Sequence, residues 1–291
     1  MKIVQFTIPC VLFALFLQTL AFADRLTSQN SYYPKSFYSQ VENGTSDEEL
    51  KKELFEILSS GHIPSPHDSD KLVKSCRDQS RDCYQHSPIS YSQARDFVLG
   101  KLDLMKKDGK YALKDVYCED IFTEDDFKKG LGPQPGKAPD HNVFNVEHTW
   151  PQSRFSKRFS KAYQKPDMHI LYGVSKTVNT SRGNDQFAEI QTDKDPVCPA
   201  VRRGWVRGDR DEIYFEPPAE HRGNVARALF YFSVRYQLPI SKIEEESLRN
   251  WNKQDPVNEE EKVRHEEIFK VQKVRNPFID HPELVDIIAD F

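Results

Sequence analysis

The sequence holds 291 residues, 37% of them hydrophobic and 30% charged, with a formal net charge of −4. That length suits one large domain or two small ones, and the negative total, taken alone, argues against a nucleic-acid partner. Beyond the N-terminal segment no stretch is long and apolar enough to span a bilayer.

In chain order, Lys2 supplies a positive start, Ile3 to Leu20 is mostly apolar, and Ala21-Phe22-Ala23 makes a small-x-small cleavage pattern before Asp24. Residues 1–23 therefore read as a secretory signal peptide, which would remove Cys10 with it. A membrane anchor is the rival reading; Gln5, Gln18 and the cleavage pattern disfavour it. The mature chain is expected to be exported and free of the membrane. Of five cysteines, Cys76, Cys83, Cys118 and Cys198 remain, an even number that suggests disulfides in an exported chain. Three pairings are open, and Cys76–Cys83 with Cys118–Cys198 is the favoured one. With no CxxC pair, the spacing fits no zinc site.

Residues 24–44 read as a loose arm, and 24–90 as that arm plus helices that pack on a main domain at 91–291. Ser46 and Glu49 form a capping box for a helix with Leu50, Leu54, Ile57 and Leu58 at helical spacing and Gly61 at its stop. A second helix is expected over Ser92–Met105, burying Phe97, Val98 and Leu102, and a short strand within 111–118. Glycines and prolines make 128–142 a loop. Val143–Glu147 reads as a strand ended by Pro151, and Met168–Tyr172 as another. Val174–Arg182 reads as a short helix with Gly183 ending it. Val225, Leu229, Phe232 and Tyr236 give a core-facing helical stripe. Asn258 and Glu261 cap a helix to about Val274, with Asn276-Pro277 as its stop. The expected class is α+β, mainly helical with one small sheet.

Charge is unevenly spread. Residues 148–165 carry Arg154, Lys157, Arg158, Lys161 and Lys165 with no acid, and 202–210 carry Arg202, Arg203, Arg207 and Arg210 against Asp209. Such local basic faces suit phosphates better than the net charge implies, although most charge runs are simply solvated surface.

Hydrolysis of a phosphodiester needs a base for water, neutralisation of the phosphoryl oxygens, and stabilisation of the leaving oxygen. A histidine suits the first task and one divalent ion the other two. Mg²⁺ prefers oxygen ligands and keeps several waters, so one carboxylate and one amide oxygen can hold it. His148, Glu147 and Asn179 supply that set.

The motifs Val146-Glu147-His148-Thr149-Trp150-Pro151, Asp167-Met168-His169, Val178-Asn179 and Arg182-Gly183-Asn184 together resemble the endonuclease I family. So do Glu216-Pro217-Pro218, Arg222 to Ala228, Trp251-Asn252 and Arg275-Asn276-Pro277-Phe278. The resemblance covers roughly residues 90–285. It implies a ββα-metal (His-Me finger) site in an exported nuclease that cuts DNA and RNA with little sequence preference. His148 would be the general base, oriented by a backbone carbonyl near Lys165. Glu147 and Asn179 would hold Mg²⁺, with Mn²⁺ or Ca²⁺ as substitutes, and the ends left would be 5′-phosphate and 3′-hydroxyl. Arg154, Arg158 and Arg182 are candidates to grip phosphate, and Asp167, His169 and Asn184 to support the site. A monomer is expected.

The structural alternatives are plain. Asp167 and His169 can be local hydrogen-bonding residues, Trp150 and Trp251 core residues, and Asn179-Thr180-Ser181 and Asn43-Gly44-Thr45 also fit the N-glycosylation pattern. Rival functions are a nucleic-acid-binding protein without catalysis, and a zinc hydrolase using His141, His148 and His169. One geometric demand follows from the motif. Adjacent strand residues point to opposite faces, so a bulge or strand end is expected at Glu147–His148. If both residues stood inside a regular ladder, the site assignment would be wrong.

Overall fold

The computed structural model describes residues 30–77 and 82–291, so the signal-peptide assignment at 1–23 lies outside the described residues. The arm expected at 24–44 is, from Ser31 on, part of the core. Helix α1 (Lys35–Glu42) forms there, and Tyr32, Tyr33 and Phe37 are buried. Three large aromatic side chains removed from water outweigh the weak helical periodicity of the segment.

Helix α2 (Asp47–Ser59) starts at Ser46 as expected and buries Leu50, Leu54, Ile57 and Leu58. The capping box is incomplete. Ser46 donates to the Glu49 carboxylate, and its side chain makes no bond to the helix backbone. Strands β1 (Gly61–Ile63) and β2 (Lys71–Val73) pair next.

Helix α3 (Tyr91–Phe97) has a complete box, Ser90 with Gln93, and continues as a π turn over Val98–Leu102. The expected helix to Met105 gives way to a three-stranded meander, β3 (Leu104–Lys107), β4 (Lys110–Lys114) and β5 (Ile121–Thr123). The widened turn has a cause at Gly100. Its carbonyl accepts the Gly136 N–H, and a Cβ there would stand 2.4 Å from the Lys137 nitrogen. The 128–142 loop passes where only a glycine lets it.

Strand β6 (Phe144–His148) pairs antiparallel with β7 (Leu171–Ser175). Helix α4 (Lys161–Gln164) lies in the connection between them, and α5 (Lys176–Arg182) follows β7 directly. The second strand thus begins at Leu171. Met168–Ile170 is a 3₁₀ turn, because Asp167 caps it by accepting the His169 N–H. The order is strand, connection, strand, helix.

A four-stranded sheet runs β8 (Gln186–Phe187), β11 (Asp209–Glu216), β10 (Arg202–Val206), β9 (Thr192–Asp193). The single small sheet expected is therefore corrected to four small sheets among the described residues. The C-terminal part is helical: α6 (Arg222–Tyr236), α7 (Lys242–Gln254), α8 (Glu259–Gln272), α9 (Pro277–Asp280) and α10 (Leu284–Ile287). Asn258 caps α8 through the Glu261 N–H. Asn276-Pro277 opens α9, with proline at the first turn where its missing N–H is harmless.

Almost every α6 residue is buried, and the helix packs on both α2 and α7. One hydrophobic cluster runs from Tyr32 to Phe291. Polar ties are buried with it. Arg227 on α6 forks onto both oxygens of Glu261 at 2.8 and 2.6 Å and also reaches Asn252 and the Asp255 carbonyl. Arg227→Met strands a buried carboxylate and is expected to cost about 3–5 kcal/mol. Urea midpoints check this, and Arg227→Met with Glu261→Leu should recover much of the loss. Both favoured disulfides, Cys76–Cys83 and Cys118–Cys198, are formed. No helix among the described residues is long and apolar enough to cross a membrane.

Candidate active site

A polar cleft opens against β6, lined by Tyr91, Asn145, Val146, Glu147, His148, Pro151, Gln152, Asn179, Arg182, Gly183 and Asn184. Four consecutive strand residues line it because β6 has a partner on one side only. The other side is a free edge. There the carbonyl of Val146 accepts from Asn179 Nδ2 at 3.2 Å, and that of His148 from Arg182 Nη1 at 3.3 Å.

The expected irregularity at Glu147–His148 is absent. The ladder is regular, with Glu147 opposite Tyr172 and His148 opposite Leu171, and Thr149 continues it by donating to the Ile170 carbonyl. A regular ladder through both is the outcome that the strand-alternation reading takes to make the site assignment wrong. The premise of that reading was a site on one face of the strand. The cleft instead lies along the edge, where side chains from both faces border one space.

Each polar group is held. His148 Nε2 lies 3.0 Å from the Lys165 carbonyl oxygen. A carbonyl only accepts, so Nε2 carries the hydrogen and Nδ1 keeps the lone pair. Gln152 Nε2 is 3.4 Å from that Nδ1. The ring sits between Tyr91, inclined by 29° at 5.5 Å, and Phe155. Burial pushes its pKa down to about 4, helped by the charges of Lys165 and Arg182 and opposed by the Lys165 carbonyl.

Glu147 is 2% exposed. Its Oε1 accepts from the Tyr117 hydroxyl at 3.3 Å and faces Arg182 Nη1 at 3.0 Å. Burial raises its pKa to about 7 despite the opposing pull of Arg182 and Tyr117. Asn179 stands on α5, which Ser175 caps and Gly183, at φ +59°, ends. Its amide nitrogen is spent on Val146, which leaves Oδ1 as the acceptor in the cleft.

The remaining sequence candidates divide. Arg182 lines the cleft but is 1% exposed, stacks on Phe187 and spends its guanidinium on Glu147 and on the His148 and Thr149 carbonyls. Arg154 is committed elsewhere: it forks onto the fully buried Glu244 and stacks on Trp150. Arg158 lines a separate groove with Lys51, Lys52 and Phe55 of α2. Asp167 accepts the Tyr231 and Tyr236 hydroxyls, and His169 bonds the Val274 carbonyl, both in the core. Asn184 is exposed on the rim. Tyr117, Tyr91 and Gln152 were not singled out from the sequence. Gln152 stands four residues after His148 and could have been, whereas Tyr117 is thirty residues before Glu147 with no local signal.

Arg154→Ala separates the two uses proposed for that residue. We expect KM and kcat on a nucleic acid within about 3-fold of the parent. The buried Glu244 loses its partner, so stability falls by somewhat less than the roughly 3–5 kcal/mol of a fully buried pair. Steady-state kinetics and a thermal midpoint check both.

The donors fit one hard cation. Glu147 offers a carboxylate with one oxygen in use, and Asn179 an amide oxygen, a sparse set suited to an ion that keeps its waters. No group of three His, Cys, Asp or Glu able to hold a metal occurs among the described residues. The three histidines of the zinc alternative do not converge: His141 is exposed, His169 is in the core and His148 stands in the cleft.

Fold and cleft thus define a mixed α+β protein with a histidine, a carboxylate and an amide gathered on a hairpin–helix unit. The sequence model of the endonuclease I family matches residues 71–283, and the chain belongs to that family. The chain is 36% identical over 186 residues to an extracellular ribonuclease of Bacillus subtilis (strain 168), covering 58% of this chain and 60% of that protein. It is 31% identical over 119 residues to endonuclease-1 of Buchnera aphidicola subsp. Baizongia pistaciae, covering 40% and 48%. It is 30% identical over 115 residues to an extracellular deoxyribonuclease of Aeromonas hydrophila, covering 39% and 48%. The chain spans about half to three-fifths of the length of these relatives.

Proposed function

We propose that the protein is an exported, metal-dependent endonuclease. It hydrolyses phosphodiester bonds of DNA and RNA with little sequence preference, through a ββα-metal (His-Me finger) site. The observation that carries this reading is the tautomer lock on His148: with Nε2 tied to the Lys165 carbonyl, the basic Nδ1 borders the same cleft as Glu147 and Asn179. Export is supported by the two disulfides and by the extracellular relatives, one named a ribonuclease and one a deoxyribonuclease.

In this mechanism His148 Nδ1 takes a proton from the attacking water, and Gln152 steadies the ring or that water. The ring stays neutral and ready because burial keeps its pKa low. Glu147 and Asn179 would hold the ion, Mg²⁺ or a similar one such as Mn²⁺ or Ca²⁺. When bound, the ion would neutralise charge on the phosphoryl group and the departing oxygen. In-line attack of that water on phosphorus displaces the 3′ oxygen, which takes a proton from solvent, and leaves 5′-phosphate and 3′-hydroxyl ends. Incubating the oxidised protein with plasmid DNA or with RNA, under Mg²⁺, Mn²⁺, Ca²⁺ or EDTA, tests the reading. Cleavage that EDTA abolishes is expected; no cleavage of either polymer in any metal overturns it.

A further inference from the structure

We propose that Tyr117 and Arg182 form a two-donor clamp on one oxygen of Glu147, acting as positioning residues that leave the other oxygen for the cation. The inference rests on the metal-dependent reading of the cleft.

Both donors converge on Oε1, the Tyr117 hydroxyl at 3.3 Å and Arg182 Nη1 at 3.0 Å. No side-chain donor reaches Oε2 among the described residues; the His148 backbone N–H adds a weaker pull on the carboxylate. Tyr117 and Arg182 are themselves fully buried, so neither can leave to meet substrate. A carboxylate with two fixed donors on one oxygen cannot turn freely, and its second oxygen is presented in one direction.

The clamp also joins the two halves of the site. Arg182 donates from Nη1 to the His148 carbonyl at 3.3 Å and from Nη2 to the Thr149 carbonyl at 2.9 Å. One guanidinium therefore registers the end of β6, which carries His148, against α5, which carries Asn179. Lysine has no planar fork and could serve one of these acceptors at a time. Tyr117 is fixed by Asp115, whose Oδ1 accepts the Tyr117 and Cys118 N–H groups and whose Oδ2 accepts the Ser175 N–H at the start of α5.

Tyr117→Phe and Arg182→Lys in the full chain test this. Mn²⁺ alone is titrated, with free ion read by electron paramagnetic resonance, and kcat and KM are measured on plasmid DNA at limiting and saturating Mg²⁺. Arg182→Lys should weaken Mn²⁺ binding about 10- to 100-fold, and Tyr117→Phe about 3- to 10-fold. At limiting Mg²⁺, kcat should fall while KM for DNA stays put, and added Mg²⁺ should restore much of the Tyr117→Phe rate. Unchanged Mn²⁺ affinity in both variants overturns the clamp, as does a raised KM with unchanged metal affinity. If Arg182→Lys loses its near-ultraviolet circular dichroism, Tyr117→Phe decides alone, since it removes one hydroxyl. A parent protein that neither binds Mn²⁺ nor cuts overturns the proposed function itself; a parent that does both, with variants like it, overturns the clamp alone.

Discussion

Replacing His148 by alanine is expected to lower the rate of nucleic-acid cleavage about 10²- to 10⁴-fold, the range for loss of a general base. KM for DNA should hardly move, because the ring lies 7% exposed at the base of the cleft and offers no cation to the phosphates. The substitution leaves a gap between Tyr91 and Phe155. Added imidazole can enter such a gap, and partial recovery of rate with imidazole would separate a lost base from a damaged fold. The low pKa gives a second check. With the ring neutral down to about 4, and with saturating Mg²⁺ keeping Glu147 ionised, the parent's activity should show no acid limb near the usual histidine value of about 6.5. Cleavage that persists undiminished in His148→Ala removes the base assignment.

How much of this was legible without coordinates depends on the kind of interaction involved. The long stripe of α6 and the Asn258 cap of α8 were readable because local periodicity and capping chemistry decide them. So was the meeting of Glu147, His148 and Asn179 in one cleft, since the motif order specifies a hairpin followed by a helix. Helix α7 was not readable. Its sequence is dominated by charge, and Glu244 is buried only because Arg154 reaches it from another element, while Glu245 pairs with Arg249 four residues on along the same helix. The Glu244 partner explains why Arg154, exposed on paper in a basic run, is withdrawn from the cleft. Helix α1 hid in a Ser- and Tyr-rich segment because its aromatic side chains find their partners far along the chain, Tyr33 on Asp280 and Tyr32 on Phe269. The regular ladder through Glu147–His148 could not be foreseen either. Strand alternation says which face a side chain takes, but not that the strand's outer edge would be left open for a site.

Glu147→Gln should separate function from stability, and in opposite directions. The substitution keeps the shape and one oxygen for Tyr117 and Arg182 but removes the negative charge that the ion needs. Cleavage is expected to fall about 10²- to 10³-fold, as for loss of a main electrostatic group, and Mn²⁺ binding should weaken with it. In EDTA the fold should gain. Burial raises the Glu147 carboxyl from its ordinary value of 4.5 to about 7, so the folded state holds its proton more tightly than the unfolded chain does. A group of that kind contributes stability that is complete below about 4.5 and is lost as pH rises through about 7. The loss is on the order of 3 kcal/mol by pH 8. Glutamine never ionises and avoids it. Denaturant midpoints in EDTA should therefore coincide for parent and Glu147→Gln near pH 4 and separate in favour of the variant toward pH 8. Adding metal should reverse the order, because only the parent gains from binding. Equal midpoints at both pH values would mean that Glu147 carries no burial penalty, and the case for a carboxylate kept there for its charge would fail.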